Sequence, residues 1–220
     1  MSLSIAWDSK KIVNYFSNNR STFNSLYKGE KYLISKYIKK NNSILDIGCA
    51  QGGMYNILKK RFPKIDYTGV DFNKKMIILA KKKYNKKFFF FYNKKNYYSF
   101  FKKKFDVVIL FGILHLNPNW KNILINAYKV AKSSIIFDLR FSKIKNKSFH
   151  NYLNLNLDNK NRSKKYSIPY ILLKKKEVLK FFKDKFGNAI LDNYLYTGKP
   201  SKYSSIKSEI IFANYCLKKK

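Results

Sequence analysis

Apolar and polar positions follow two periods along the chain. Short apolar runs mark buried strands, and between them apolar residues return every three or four positions, as on one face of a helix. Leu33, Ile34, Tyr37 and Ile38 form a helical stripe ahead of an apolar strand over Ser43–Ile47, and a helix from about Gly53 to Arg61 follows. A second strand, Ile65–Asp71, leads to Asn73, a suitable N-cap for a helix carrying Met76, Ile77, Ala80 and Tyr84 on one face. The runs KFFFFYN, FDVVILFG and SSIIFDLR supply a third, fourth and fifth strand. Between the last two, Asn117 and Pro118 make a cap and first-turn pair opening a helix to about Lys132.

Strands separated by helices predict an α/β fold, a doubly wound and mostly parallel sheet covered on both faces. The Asn/Lys-rich stretch from Phe141 to Leu173 shows neither period and reads as a long loop at the ligand-binding edge, where such loops serve as lids or substrate elements. An amphipathic helix over Lys174–Phe186 follows. Two β-rich segments, Ala189–Tyr196 and Ser205–Leu217, joined by the turn-forming TGKPSKY, predict an antiparallel hairpin at the sheet edge. No Pro/Gly/Ser-rich stretch divides the 220 residues, so a single domain is expected. Its parts are N-terminal helices or a lid (1–42), a ligand-binding core (43–140), a substrate-side insertion (141–173), and a closing helix and hairpin (174–220). The first residues lack a charged segment followed by a long apolar run, and the longest apolar stretch is too short to cross a bilayer. The expectation is a soluble, cytoplasmic protein with no membrane partner.

A net charge of +35 invites a nucleic-acid partner. Composition argues against it. Only four of the 47 basic residues are Arg, and the lysines are spread in short runs over polar faces. The chain is equally rich in Asn, Ile, Phe and Tyr, the set an A+T-rich coding sequence favours, so the charge reads as solvated surface. The same bias makes the 12 acidic residues informative: Asp46, Asp71, Asp106 and Asp138 all stand at the edge of an apolar run. Cys49 and Cys216 lie far apart and match no metal-ligand spacing, so neither a disulfide framework nor a metal site is expected.

The chemistry concentrates in ILDIGCAQGG, Ile44 to Gly53. Its glycines satisfy the loose pattern of a dinucleotide-binding turn, and Asp71 follows at a distance suited to a ribose. Asp46, however, stands two residues ahead of the turn, where it would repel a diphosphate. It suits a ligand with an ammonium at the strand end and a carboxylate nearer the helix N-terminus, as in the methionyl part of S-adenosylmethionine. A phosphate-binding P-loop is excluded by the missing Gly-Lys-Ser/Thr.

With LDIGCAQGG, YTGVDFN and FDVVILFGILHL in this order, the chain resembles class I S-adenosylmethionine-dependent methyltransferases over Ser43 to Arg140. The resemblance implies a Rossmann-like, seven-stranded sheet closed by the C-terminal hairpin, and S-adenosylmethionine as cofactor. It places Asp46 near the methionyl ammonium, and Gly48, Cys49, Ala50 and Gly52 in the loop under the cofactor, Cys49 through its backbone. Asp71 would accept from the ribose hydroxyls, Phe72 would lie against the adenine, and Asn93 would accept from the adenine amino group. The backbone around Phe111 would border the reactive methyl. The chain departs from the pattern at Ala50, where many members have Gly, and at Asn93, where an Asp often stands.

Methyl transfer from a sulfonium is an in-line displacement, which asks mainly for alignment and exclusion of water. For a hydroxyl acceptor a base helps, and His115 in GILHL follows the fourth strand on the cofactor side. Asp138 and Arg140 end the fifth strand at the same edge, as acceptor-binding residues or as a plain ion pair. Glu30, in the helix ahead of the first strand, faces the pocket or caps its helix. Tyr152, Tyr166 and Tyr170 belong to the long loop. The leading reading is methylation of an oxygen or nitrogen of a small molecule, such as a sugar or another metabolite. An RNA methyltransferase and a non-catalytic cofactor-binding module are the alternatives. No Asn/Asp-Pro-Pro-Tyr motif follows the fourth strand, where LFGI stands, which weighs against the amino-methylating nucleic-acid enzymes.

Overall fold

The computed structural model describes residues 12–14, 20–84, 88–92, 102–143, 149–156, 165–200, 204 and 206–220. In chain order the elements are α1 (Lys28–Tyr37), β1 (Ser43–Ile47), α2 (Gly53–Arg61), β2 (Asp66–Asp71), α3 (Lys74–Tyr84), β3 (Phe89–Phe91) and β4 (Phe105–Leu110). There follow α4 (Trp120–Val130), β5 (Ala131–Phe141), β6 (Phe149–Asn156), β7 (Lys165–Leu172), α5 (Lys175–Phe186), β8 (Ile190–Gly198) and β9 (Ile210–Lys218). The main sheet has seven strands in the order β3-β2-β1-β4-β5-β9-β8. The strands from β3 to β5 are parallel; β9 runs antiparallel to both β5 and β8. The expected doubly wound sheet with a closing hairpin is therefore present.

The period of two along β4 decides the two faces of the core. Val108 and Leu110 point into one cluster with Leu124 and Ala127 of α4 and Val178, Phe181 and Phe182 of α5. Val107 and Ile109 point into the other, with Leu33 and Ile34 of α1, Ile57 and Leu58 of α2, and Ile77 and Ala80 of α3. Each of the helices α1 to α5 carries basic side chains in its last turn, including Lys59, Lys60 and Arg61 on α2 and Lys81, Lys82 and Lys83 on α3. There they complement the partial negative charge of the free carbonyls.

Two expectations are corrected. The segment from Phe141 to Leu173 is not simply a loop: β6 and β7 within it pair antiparallel as a separate two-stranded sheet, from Phe149↔Leu172 to Asn156↔Lys165. Its Asn content and Pro169 masked the strand signal, yet each strand here is an edge, where a missing N–H is tolerated. The helix expected to open at Asn117–Pro118 begins at Trp120 after N-cap Asn119, and gives way to β5 at Ala131 rather than Lys132. Asn117 instead accepts from the Asn119 N–H at 2.9 Å, closing the preceding turn. Among the described residues no helix is long and apolar enough to cross a membrane.

Candidate active site

Parallel pairing brings the C-terminal ends of β1, β2, β4 and β5 to one edge, and the strand order reverses between β1 and β4. Open sheets bind ligands at such a reversal. Asp46 lies in register with Gly69 on β2 and Ile109 on β4, one residue from the end of β1. It is 4% exposed and accepts a hydrogen bond from the Tyr67 hydroxyl at 2.5 Å. Burial pushes its carboxyl up to about 6, against the opposing pull of Tyr67 and Arg20.

Beyond β1 the chain turns sharply, with the N–H groups of Gly48 and Cys49 both donating to the Val70 carbonyl. Ala50 adopts a left-handed φ of 46°, which costs a non-glycine residue about 1 to 2 kcal/mol. It is held there by its N–H, which donates to Asp71 at 2.9 Å. The second oxygen of Asp71 accepts from the Asn73 N–H at 2.8 Å, so one carboxylate ties the loop to the end of β2. Burial raises the Asp71 carboxyl to about 6 although the N–H groups of Asn73, Ala50 and Phe72 oppose the shift. Gly52 serves the fold: a Cβ there would stand 2.7 Å from the Phe89 ring. The buried Cys49 thiol is pushed well up by burial and stays protonated, leaving its backbone as the useful part. Phe72 is 41% exposed at the same edge.

One pocket opens here, lined by Arg20, Asp46, Gly48, Cys49, Ala50, Gln51, Gly53, Met54 and Phe111. Sequence reasoning missed Arg20, Gln51 and Tyr67. Arg20 is bound to Glu30 of α1 through Nη2 and Oε1 at 2.5 Å, and Glu30 is 1% exposed. Burial opposes the arginine's charge, but Glu30, with Asp138 and Asp46 beyond it, more than compensates and secures the cation. Gln51 donates to the Val13 carbonyl at 2.6 Å, tying the helical residues 12–14 to the glycine-rich loop.

Next to this pocket, Gly112 has φ +80°, a conformation that favours glycine, and donates its N–H to Asp138 at 2.6 Å; a Cβ there would stand in ordinary contact with the Arg20 guanidinium. Asp138 and Arg140 are both buried and form an ion pair, and Arg140 also stacks over the Phe212 ring at 4.4 Å. Burial works against the charge of Asp138, but Arg140 and the Gly112 N–H hold its carboxyl below the usual range. His115 sits in the short turn Leu114–Leu116 with its ring edge-on to Tyr170 of β7, centroids 5.2 Å apart. Among the described residues, its Nδ1 and the Nε of Arg140 have no hydrogen-bond partner. Burial and then the Arg140 charge push His115 down to about 3, so the imidazole is neutral at physiological pH. Asp106 accepts from the N–H and hydroxyl of Ser43 at the opposite end of the sheet, a structural role. Asn93 lies outside the described residues, as do the side chains of Tyr152 and Tyr166.

The methyltransferase domain model matches residues 38–185, well over half the chain. The chain belongs to this family and is a class I S-adenosylmethionine-dependent methyltransferase. It is similar in fold to a S-adenosylmethionine-dependent methyltransferase from Clostridium acetobutylicum ATCC 824, with a TM-score of 0.58 and 16% identity over 98% of this chain and 97% of that one. It is also similar to the N-terminal domain of EvdMO1 with SAH bound, with a TM-score of 0.59 and 11% identity over 86% and 79% of the two chains. A third is coclaurine N-methyltransferase bound to N-methylheliamine and SAH, with a TM-score of 0.59 and 10% identity over 84% and 70%. No curated protein matches the chain in sequence.

Proposed function

We propose that the chain transfers the methyl group of S-adenosylmethionine to an oxygen or nitrogen of a small molecule, with the cofactor in the pocket between Arg20 and Asp46. The observation carrying this reading is that one pocket presents a guanidinium and a carboxylate that are not paired with each other. The methionyl group, with an ammonium and a carboxylate on one carbon, meets an opposite charge at each end, whereas a diphosphate would meet Asp46. Asp71 is the ribose ligand: of the about four lone-pair sites of a carboxylate, the N–H groups of Asn73, Ala50 and Phe72 leave one for a ribose hydroxyl. Phe72 offers a ring face to the adenine. Asn93 follows β3 in the chain, and its amide oxygen is assigned to the adenine amino group.

With the cofactor bound, the backbone around Phe111 and Gly112 would border the reactive methyl, and His115, Asp138, Arg140 and Tyr170 would form the acceptor side. Its polar groups are few and placed among rings, which suits a small acceptor. Coclaurine N-methyltransferase was crystallised with N-methylheliamine, and the EvdMO1 domain in the presence of SAH and D-fucose, which supports this size class. With its low basicity His115 orients an acceptor by hydrogen bonding and does not store its proton. Nitrogen-15 NMR of the imidazole should show it neutral from pH 8 down to pH 4, and a titration between pH 6 and 7 would return it to the role of general base.

Calorimetry is expected to show binding of S-adenosylmethionine and of its demethylated product SAH, and none of NAD. The affinity should fall as pH drops through about 6, because the ionised Asp46 is the form that holds the ammonium and the carboxyl is half protonated there. Binding of NAD without SAH would overturn the cofactor site, and affinity unchanged between pH 7 and 5 would remove Asp46 from it.

A further inference from the structure

A pocket for a zwitterion carries a hazard. It needs a cation and an anion of its own, and in a poorly solvated pocket these attract each other as strongly as they attract the ligand. Arg20 and Asp46 line one pocket, and Asp46, Asp138 and Glu30 all lie within electrostatic reach of the guanidinium. The arginine is nevertheless joined to Glu30, while Asp46 is occupied by the Tyr67 hydroxyl.

We propose that Glu30 is a positioning residue that holds Arg20 away from Asp46 and so keeps the pocket open to nucleosides bearing an amino-acid tail. This rests on the reading of the pocket as the cofactor site. Glu30 is built for the task. Its second oxygen accepts from the Tyr27 N–H at 3.2 Å, at the start of α1, which fixes the rotation of the carboxylate. α1 is in turn fixed to the sheet. The side chains of Tyr32, Lys36 and Tyr37 all donate to Asp192 on β8. Gly29 lies so close to Asn214 of β9 that a Cβ would overlap its side chain. The guanidinium also lies against Gly112, and Asp138 is already engaged by Arg140 and the Gly112 N–H. With Glu30 neutralised, the carboxylates within reach of Arg20 are Asp138, both of whose oxygens already accept from Arg140 and the Gly112 N–H, and Asp46, which accepts from the Tyr67 hydroxyl through one oxygen; pairing with Asp46 would satisfy within the protein the two charges meant for the ligand.

The test compares two ligands by calorimetry: SAH, and 5′-methylthioadenosine, which keeps the adenosine and thioether but lacks the amino-acid tail. Glu30→Gln retains the size of the side chain and an acceptor for Tyr27. It is expected to weaken SAH binding about tenfold, the scale of misaligning a charge-assisted contact, and to leave methylthioadenosine within about twofold. Arg20→Lys, which keeps Glu30 and the charge but loses the fork, should show the same selective loss, and adding Glu30→Gln to it should cost little more. Equal weakening of both ligands would reduce Glu30 to a structural role, and undiminished or tighter SAH binding would overturn the proposal outright. Wild-type protein that binds neither ligand would instead sink the cofactor reading itself.

Discussion

Asp46→Asn is expected to lower the affinity for S-adenosylmethionine and SAH by about thirtyfold or more, the 2 to 5 kcal/mol typical of removing one partner of a buried, hydrogen-bonded charge pair. Asparagine fills the same volume and can still accept from Tyr67, so the loss isolates the charge. Stability should move the other way. The folded state holds the Asp46 carboxyl at about 6, above its unfolded value, so the ionised acid disfavours folding. That penalty is fully present above about pH 6 and disappears as pH falls below the unfolded value. At pH 7 the variant should therefore be as stable as the wild type or more so in urea denaturation, as expected where binding chemistry is maintained against the preference of the fold. A variant that loses both binding and stability would show Asp46 to be part of the scaffold.

Asp138→Ala is expected to destabilise the protein by about 3 to 5 kcal/mol, because it leaves Arg140 as an uncompensated buried charge and the Gly112 N–H without its acceptor. The total stability of a domain is about 5 to 15 kcal/mol, so the urea midpoint should drop steeply. Replacing the pair together, Asp138→Leu with Arg140→Met, should recover much of the loss, since it buries no charge. A single-variant loss under about 1 kcal/mol, the range of solvent-exposed pairs, would show that water reaches Arg140 when Asp138 is gone. The two variants are expected to separate two roles in the proposed site: a ligand contact maintained at the expense of stability at Asp46, and stabilisation of the turn after β4 at Asp138.

The strands β1, β2, β4 and β5 were legible because each is a run of apolar residues buried on both faces, and the helices because their buried residues recur on one side. The turn after β1 was legible for the same kind of reason: an acid ending an apolar run, followed by glycines, is costly unless a ligand or a special backbone requires it. Arg20 was not legible. It stands in SNNRST, outside any periodic segment, and its importance arises from Glu30, ten residues later, and from the space above Gly112. One signal was available: in a chain whose cations are nearly all Lys, an Arg stands out as a candidate for a position where a planar fork matters. Arg140, read as a site residue, and Arg20, overlooked, both hold a buried carboxylate.

By itself the sequence determined the layered α/β fold, the order of its elements, and the acidic and glycine-rich positions of the cofactor edge, because hydrophobic periodicity and backbone permissiveness are local properties written in consecutive residues. Only the tertiary structure decided which charges face one another and which protons they hold. The partnership of Arg20 with Glu30, the hold of Tyr67 on Asp46, the neutral state of His115 and the pairing of β6 with β7 all depend on groups distant in the chain. Burial sets the protonation of Asp46 and His115, and burial belongs to the packed molecule rather than to any segment of it.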